Sequence, residues 1–511
     1  MRSKVWLPVA ALAILGFTAS AISGAGAGVP LVDAVKSKDR AAVLTMLQQK
    51  KVDVNTPEGD GTTALHWAVQ QNDLEVVERL IQAGAKVKTV NDYGSTPMSE
   101  AAIIGNAAMI EKLLKAGADA NSANADGQTA LMVVARGGKV DAAKVLLSHG
   151  ANVNAQEQWR EQTALIWAAA QNQPAMVKEL IAHGADVNAR SHVNDWQIQV
   201  TAEPRAVYRP AGGLTALLYA TREGCLGCVR SLAEGGADLN LTDPEGCTPL
   251  LMSLLNGNFD IAAYLIQKGA NVNKWDWYGQ TPLYAAVDMN TVPHGGRPDR
   301  PSLDETSSLQ VIKILLEAGA NPNAQLKLAQ PYRAVGPDRG ADGMITIGST
   351  PLLRAAKAFD ADAIRLLLGK GALPNLPNAA GYTPVMAASG LGSRERDTRG
   401  RFLTEDVPGR SVKALDLLLK GGAEVNAAEN RGGQTALHGA AGWGWDEVVQ
   451  FLVDHGAELD AKDSRGLTPL DAATGAAGNR GAPRTELHPS TAALLRKLTT
   501  PSSAPVAAPR Q

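Results

Sequence analysis

The sequence predicts an all-α solenoid, a stack of helix–turn–helix layers joined by hairpin-like loops. Three observations predict it. A phrase beginning Thr-Ala-Leu or Thr-Pro-Leu, or a close variant, recurs at Thr63, Thr96, Thr129, Thr163, Thr215, Thr248, Thr281, Thr350, Thr383, Thr435 and Thr468. Neighbouring threonines lie 33, 33, 34, 52, 33, 33, 69, 33, 52 and 33 residues apart. A period in this range signals stacked supersecondary units rather than one globular core. A second phrase, Leu-Leu-x-x-Gly-Ala-Asp-x-Asn in type, stands at 146–154, 180–188, 265–273, 315–323 and 418–426. Finally, the interval between threonines holds two amphipathic runs, as one layer of helix, turn and helix requires.

The segment from Thr96 to Gly127 shows the plan of a unit. Pro97 opens the first helix, where its missing N–H would have no intrahelical partner. The apolar run Met98 to Ile104 follows, and Gly105-Asn106 breaks it. A second run, Met109-Ile110 and Leu113-Leu114, has the i, i+3, i+4 spacing of a helix burying one face. Gly117 then suits the position after the helix end, where a left-handed residue is needed. Ala118 to Asn121 leads into an extended loop turned at Asp126-Gly127. A small residue recurs in the first helix, at Ala68, Ala101, Ala168, Ala220, Ala286, Ala355, Ala388, Ala440 and Ala473, with Val134 and Ser253 as departures. A helix crowded on both sides by neighbouring layers has room there for little more than a methyl group.

These phrases resemble the ankyrin repeat, and the resemblance covers residues 28–498, with about twelve units. The first unit is degenerate and the last divergent, as solenoid ends are when they meet water. Helix axes about 8–10 Å apart would make a curved rod on the order of 100–120 Å long around one continuous core. The resemblance implies protein–protein binding as the common role and names no partner. It also implies that His66 and His438, in the Thr-x-Leu-His position, brace turns by hydrogen bonds. Trp67 and Trp167 follow that position at a half-buried groove site, where framework packing is the favoured reading.

Residues 1–27 stand outside the repeats. Arg2 and Lys4, an apolar stretch from Val5 to Ala19, and the small-x-small site Ala19-Ser20-Ala21 make the plan of a secretory signal peptide. A retained anchor is the alternative. The expectation is an exported chain, periplasmic or secreted, with no membrane span in its mature part. Residues 499–511, rich in Pro, Ala and Ser, are expected to be disordered. Lys and Arg number 49 against 51 Asp and Glu. No basic stripe interleaved with aromatics appears, so nucleic acid is not an expected partner.

Function is sought where the repeat is broken. The intervals of 52 and 69 residues carry four insertions. Those at 189–213 and 324–348 lengthen the hairpin loops, and those at 291–308 and 391–411 lengthen turns between the helices of a unit. The hairpin insertions share a phrase, 204–210 against 331–337, and read as paired fingers gripping one partner. Arg205, Tyr208, Arg209, Tyr332 and Arg333 are the candidate contacts, since Tyr and Arg dominate interface energetics. Tolerated surface loops are the competing reading, because added loop length costs little. Trp159, Trp275, Trp277 and Tyr278 are placed at hairpin tips, where an exposed ring has no core to fill. Trp443 and Trp445 flank Gly444 in a turn between helices and are read as covering the last regular unit.

Covalent chemistry has one candidate. Cys225 falls in the turn between two helices and Cys228 at the start of the second. A disulfide, two thiols, or redox or metal work are open. The spacing suits a disulfide in an oxidising compartment; the setting lacks the βαβ unit of a thioredoxin-like motif. Cys247 lies at the opposite end of the helices and is expected to be unpaired. The eight histidines form no cluster; His149, His183 and His455 recur at the ends of second helices, where the helix dipole favours a cation. No Gly-x-Ser-x-Gly elbow, phosphate loop or His-Glu-x-x-His occurs. No catalytic residue, cofactor or metal is therefore assigned. The expected function is a non-enzymatic protein-binding scaffold; a structural envelope protein, or a redox component using Cys225 and Cys228, are the alternatives.

Overall fold

The computed structural model describes residues 30–200, 207–291, 304–328, 344–392, 406–475 and 487–500. Among these, helices run in twelve successive pairs, from Pro30–Lys36 with Arg40–Gln48 to Pro469–Thr474 with Pro489–Thr499. The chain divides into two compact units, residues 1–196 with 210–244, and residues 245–511 with 197–209.

The recurring threonine proves to be the N-cap of the first helix. At Thr96, Thr248 and Thr350 the hydroxyl accepts the amide three residues on, each time at 3.1 Å. This satisfies a donor that the helix itself leaves over. The second helix 107–115 closes as expected: Ala118 N–H donates to Leu113 O and Gly117 N–H to Leu114 O, both 2.9 Å. Gly117 sits at φ 93°, a left-handed backbone that glycine adopts at little cost.

In the first unit, the first helices 64–70, 97–104, 130–136, 164–170 and 216–223 pack each on the next, and the second helices do likewise. In the second unit the same order runs from 249–256 to 469–474. The small-residue row is the contact between them. Ala68, Ala101, Ala168, Ala220, Ala286, Ala355, Ala388, Ala440 and Ala473 are all 0% exposed, as are Val134 and Ser253. Ser253 keeps its hydroxyl satisfied by donating to Leu250 O at 2.7 Å.

The insertion at 189–213 folds in part as an antiparallel pair of strands, β1 (Val193–Val200) and β2 (Val207–Gly212). The bases of the others are held by hydrogen bonds. Asp304 accepts the Phe259 N–H at 2.6 Å, capping helix 259–267, and the Ser411 hydroxyl donates to Ala388 O at 2.6 Å. The last helix extends through Thr499, one residue into the segment expected to be disordered. The proposed leader, 1–27, and most of the tail lie outside the described residues. No helix among the described residues is long and apolar enough to cross a membrane.

Candidate partner-binding surface

Several hairpin tips are built on a side chain that accepts backbone N–H groups of its own turn. Asn91 Oδ1 takes the amides of Tyr93 and Ser95 at 3.2 and 2.8 Å. Asp276 Oδ1 takes those of Tyr278 and Gln280 at 2.9 and 2.8 Å. In the tip at 157–162 a glutamate does the work: Glu157, only 4% exposed, accepts from Trp159, Arg160 and Gln162. These local bonds fix the shape of a turn from within its own backbone.

Backbone bonds then join successive tips. In the first unit Asp92 N–H donates to Asp60 O (2.9 Å), Gln158 N–H to Asp126 O (3.2 Å) and His192 N–H to Arg160 O (2.6 Å). In the second, Trp277 N–H donates to Glu245 O (2.7 Å), Asn430 N–H to Ala380 O (3.1 Å) and Ser464 N–H to Gly432 O (2.7 Å).

A second ladder uses the asparagine that ends the Gly-Ala-Asp-x-Asn phrase. Asn121 Nδ2 donates to Gly150 O at 3.0 Å while its Oδ1 accepts the Asn152 N–H at 2.7 Å. Asn154, Asn323, Asn375 and Asn426 repeat this two-way bond with the following layer. A third link is the imidazole. His66 Nδ1 accepts the Thr63 N–H at 3.2 Å, so its Nε2 carries the proton and donates to Ser95 O, also 3.2 Å. His438 does the same between Thr435 and Leu467. The ankyrin-repeat model, described as three copies of the repeat, matches residues 31–124, 99–191, 217–326 and 408–481. The chain belongs to the ankyrin-repeat family. Ankyrin repeats generally mediate protein–protein interaction, and helix pairs 351–368 and 384–420 continue the repeat through the unmatched stretch.

Relatives match the chain in part. The chain is 26% identical over 292 residues to the E3 ubiquitin-protein ligase KEG of Arabidopsis thaliana, covering 53% of this chain and 16% of that protein. It is 30% identical over 171 residues to the putative palmitoyltransferase ZDHHC13 of Danio rerio, covering 34% and 21%. With human ankyrin repeat and SOCS box protein 16 it shares 27% over 257 residues, covering 50% and 46%. The chain thus spans less than half the length of these curated relatives. The solved ankyrin repeat domain of Bcl-3 is similar at 28% identity and a TM-score of 0.38, covering 46% of this chain and 98% of that one.

On the ankyrin scaffold the sequence-predicted contacts separate into three groups. Trp159, Trp275 and Trp277 are exposed at 73%, 48% and 60%. Trp159 Nε1 donates to Asp126 of the preceding tip at 3.3 Å, and Lys327 Nζ sits 3.1 Å from the Trp275 ring centroid. Tyr278, by contrast, is buried at 5%, a correction to its placement among exposed tip rings. The base of the 324–348 insertion lies over it: Lys327 and Leu328 N–H both donate to Tyr278 O, at 2.8 and 3.2 Å. Arg205, Tyr332 and Arg333 lie outside the described residues; Tyr208 and Arg209 fall on strand β2, and the pairing of the two fingers lies beyond the described geometry.

Sequence reasoning missed Tyr93, the most exposed large ring among the described residues at 74%. Its turn, Asn91-Asp92-Tyr93-Gly94, is built like that of the buried Tyr278, so no local pattern marked its exposure. Trp443 and Trp445 also differ from expectation. They stack on each other (centroids 5.7 Å) and face earlier layers: Trp445 meets Phe359 edge-on at 5.9 Å and Trp443 Nε1 donates to Gly390 O at 2.8 Å. Trp67 is framework, half-buried, with Nε1 donating to Glu58 and Lys36 over its ring. His149, His183 and His455 cap helix ends, each through Nδ1 at 2.8–3.0 Å from the carbonyl four residues back.

Cys225 and Cys228 are joined as a disulfide, their Cα atoms 5.2 Å apart. Cys247 is a buried thiol whose Sγ donates to Thr248 O at 3.8 Å. Among the described residues no group of His, Cys, Asp and Glu could hold a metal.

Proposed function

We propose that this chain is a non-enzymatic binding scaffold, exported from the cell, that holds one protein partner on its hairpin tips, its groove and its inserted fingers. The observation that carries the reading is the exposure of Tyr93, Trp159, Trp275 and Trp277 on turns locked by their own hydrogen bonds and by the tip-to-tip ladder. Large apolar rings held rigidly in water lose little conformational entropy on contact, and such rings supply most of the energy at interfaces.

The test is affinity capture by the chain lacking residues 1–27, beside a variant carrying Tyr93, Trp159, Trp275 and Trp277 changed to alanine. A partner held by the first and at least about thirtyfold weaker with the second, the loss of ~2 kcal/mol that one hot spot carries, supports the reading. Equal affinity at equal helical content rejects these tips as the binding surface. Export is read separately, from the N-terminal residue of the chain recovered from the native cell's envelope: a start at Met1 in the cytosolic fraction overturns it.

A further inference from the structure

In four units the second helix starts on an anion. At helices 40–48, 74–82, 361–368 and 407–420 the N-cap is an aspartate, and its carboxylate accepts the amide three residues on. The distances are 2.9 Å for Asp39, 3.2 Å for Asp73, 3.0 Å for Asp360 and 2.8 Å for Asp406. In the unit of helices 216–223 and 226–234, Cys225 stands in that position, and its Sγ accepts the Cys228 N–H at 3.1 Å. The backbone that elsewhere receives a carboxylate here receives a sulfur bonded to Cys228.

The two sulfurs are unequally placed. Cys225 is 7% exposed and Cys228 0%. Glycines flank Cys225 at 224 and one residue beyond at 227, and both are exposed. Gly227 sits close to its neighbour, since a Cβ there would lie 3.0 Å from Pro174 Cβ. Cys225 is thus the less buried of the two, set between exposed glycines, while Cys228 is fully enclosed.

We propose that Cys225 and Cys228 form a redox-active site, with Cys225 as the exchanging sulfur and Cys228 as its buried partner, reduced by a dithiol protein or small dithiol. The reductant's thiolate attacks Cys225 Sγ, forming an intermolecular S–S bond and breaking the bond to Cys228, which takes a proton. The reductant's second thiol then attacks its own sulfur in that mixed disulfide, loses its proton to solvent and expels Cys225 as a thiolate. Two electrons pass to the pair, and the dithiol leaves as a disulfide. The thiolate remains on the N-cap, held by the Cys228 amide and the helix dipole, in the place where sister units hold a carboxylate. A low-pKa thiol is also the better leaving group in the second step.

The experiment uses the full chain, reduced with dithiothreitol, and follows thiolate absorbance and site-mapped alkylation against pH. It is run on the native sequence and on Cys228→Ser, each with Cys247→Ser. Cys225 is expected to titrate at least one unit below the ordinary ~8.5 and to alkylate several-fold faster at pH 6.5 than a peptide of the same local sequence. Cys225→Asp with Cys228→Ser should melt above Cys225→Ala with Cys228→Ser, because only aspartate restores the anion. A Cys225 titration at or above ~8.5, or reduction no faster than global unfolding, overturns the proposal; the reduced native chain gives this readout even where Cys228→Ser fails to fold.

Discussion

His66 and His438 show how much of this fold depends on single protonation states. Both are buried at 3% exposure, and loss of solvation holds their pKa below the ordinary 6.5, against the opposing pull of the Ser95 and Leu467 carbonyls. Each must stay neutral, because Nδ1 accepts a backbone N–H. The unfolded chain therefore binds protons more readily than the folded one below pH 6.5. Stability is fully present above that value and falls as the pH drops through the window beneath it. Thermal midpoints should drop between pH 7 and pH 5, and the drop should shrink in His66→Gln/His438→Gln; an unchanged drop would assign it elsewhere. Asp60, lowered by hydrogen bonds from its own turn, and Asp463, where burial pushes up but hydrogen bonds from Leu467 and Arg465 together outweigh it, lose theirs only at more acid pH.

Phe359 poses a second residue-scale contest. Its φ is 56°, at a turn position held by glycine or asparagine in most other units, such as Asn72 and Gly105, and by Lys38 in the first. A left-handed L-residue costs about 1–2 kcal/mol. Against this, Phe359 is 6% exposed and packs edge-on to Trp445, and removal of a buried phenylalanine costs about 3–5 kcal/mol. Packing wins, so Phe359→Gly should destabilise by about 2 kcal/mol by urea titration, although it relieves the backbone.

At the scale of elements, the hydrogen-bond ladders between layers explain the spelling of the repeat. Asn121→Ala removes both of its bonds to the next layer and should cost about 1–2 kcal/mol. Asn121→Asp keeps the acceptor alone and should fall between. Gly439 tests the opposite rule. Inside a helix, Gly→Ala ordinarily stabilises by about 0.5–1 kcal/mol. Here a Cβ would lie 2.6 Å from Leu391 N of the neighbouring layer, too close for any rotamer to relieve. Gly439→Ala should therefore lower the melting temperature, and a rise would show that the layers can move apart.

Within each of the two units, contacts run from a helix pair to its neighbours along the chain, so damage should stay local. Leu146, 0% exposed, lies on the helix that packs against 107–115 and 174–182. Leu146→Ala should speed amide hydrogen exchange in those helices and leave 407–420 at its original protection. A uniform change throughout would show one cooperative core.

The sequence by itself determined the solenoid, the helix pairs and the turn positions, because those follow from local rules: a capping threonine, a periodic apolar face, a glycine after each helix. It placed Trp159, Trp275 and Trp277 on tips for the same reason. The exposure of Tyr93 and the burial of Tyr278 were decided by tertiary structure alone. The two tyrosines hold equivalent places in Asx turns, and only Tyr278 has an insertion base hydrogen-bonded over it. Phe359 and Trp445, which meets it edge-on, lie 86 residues apart in sequence. No period could pair them, since burial is a property of what the chain brings near and not of the residue it brings.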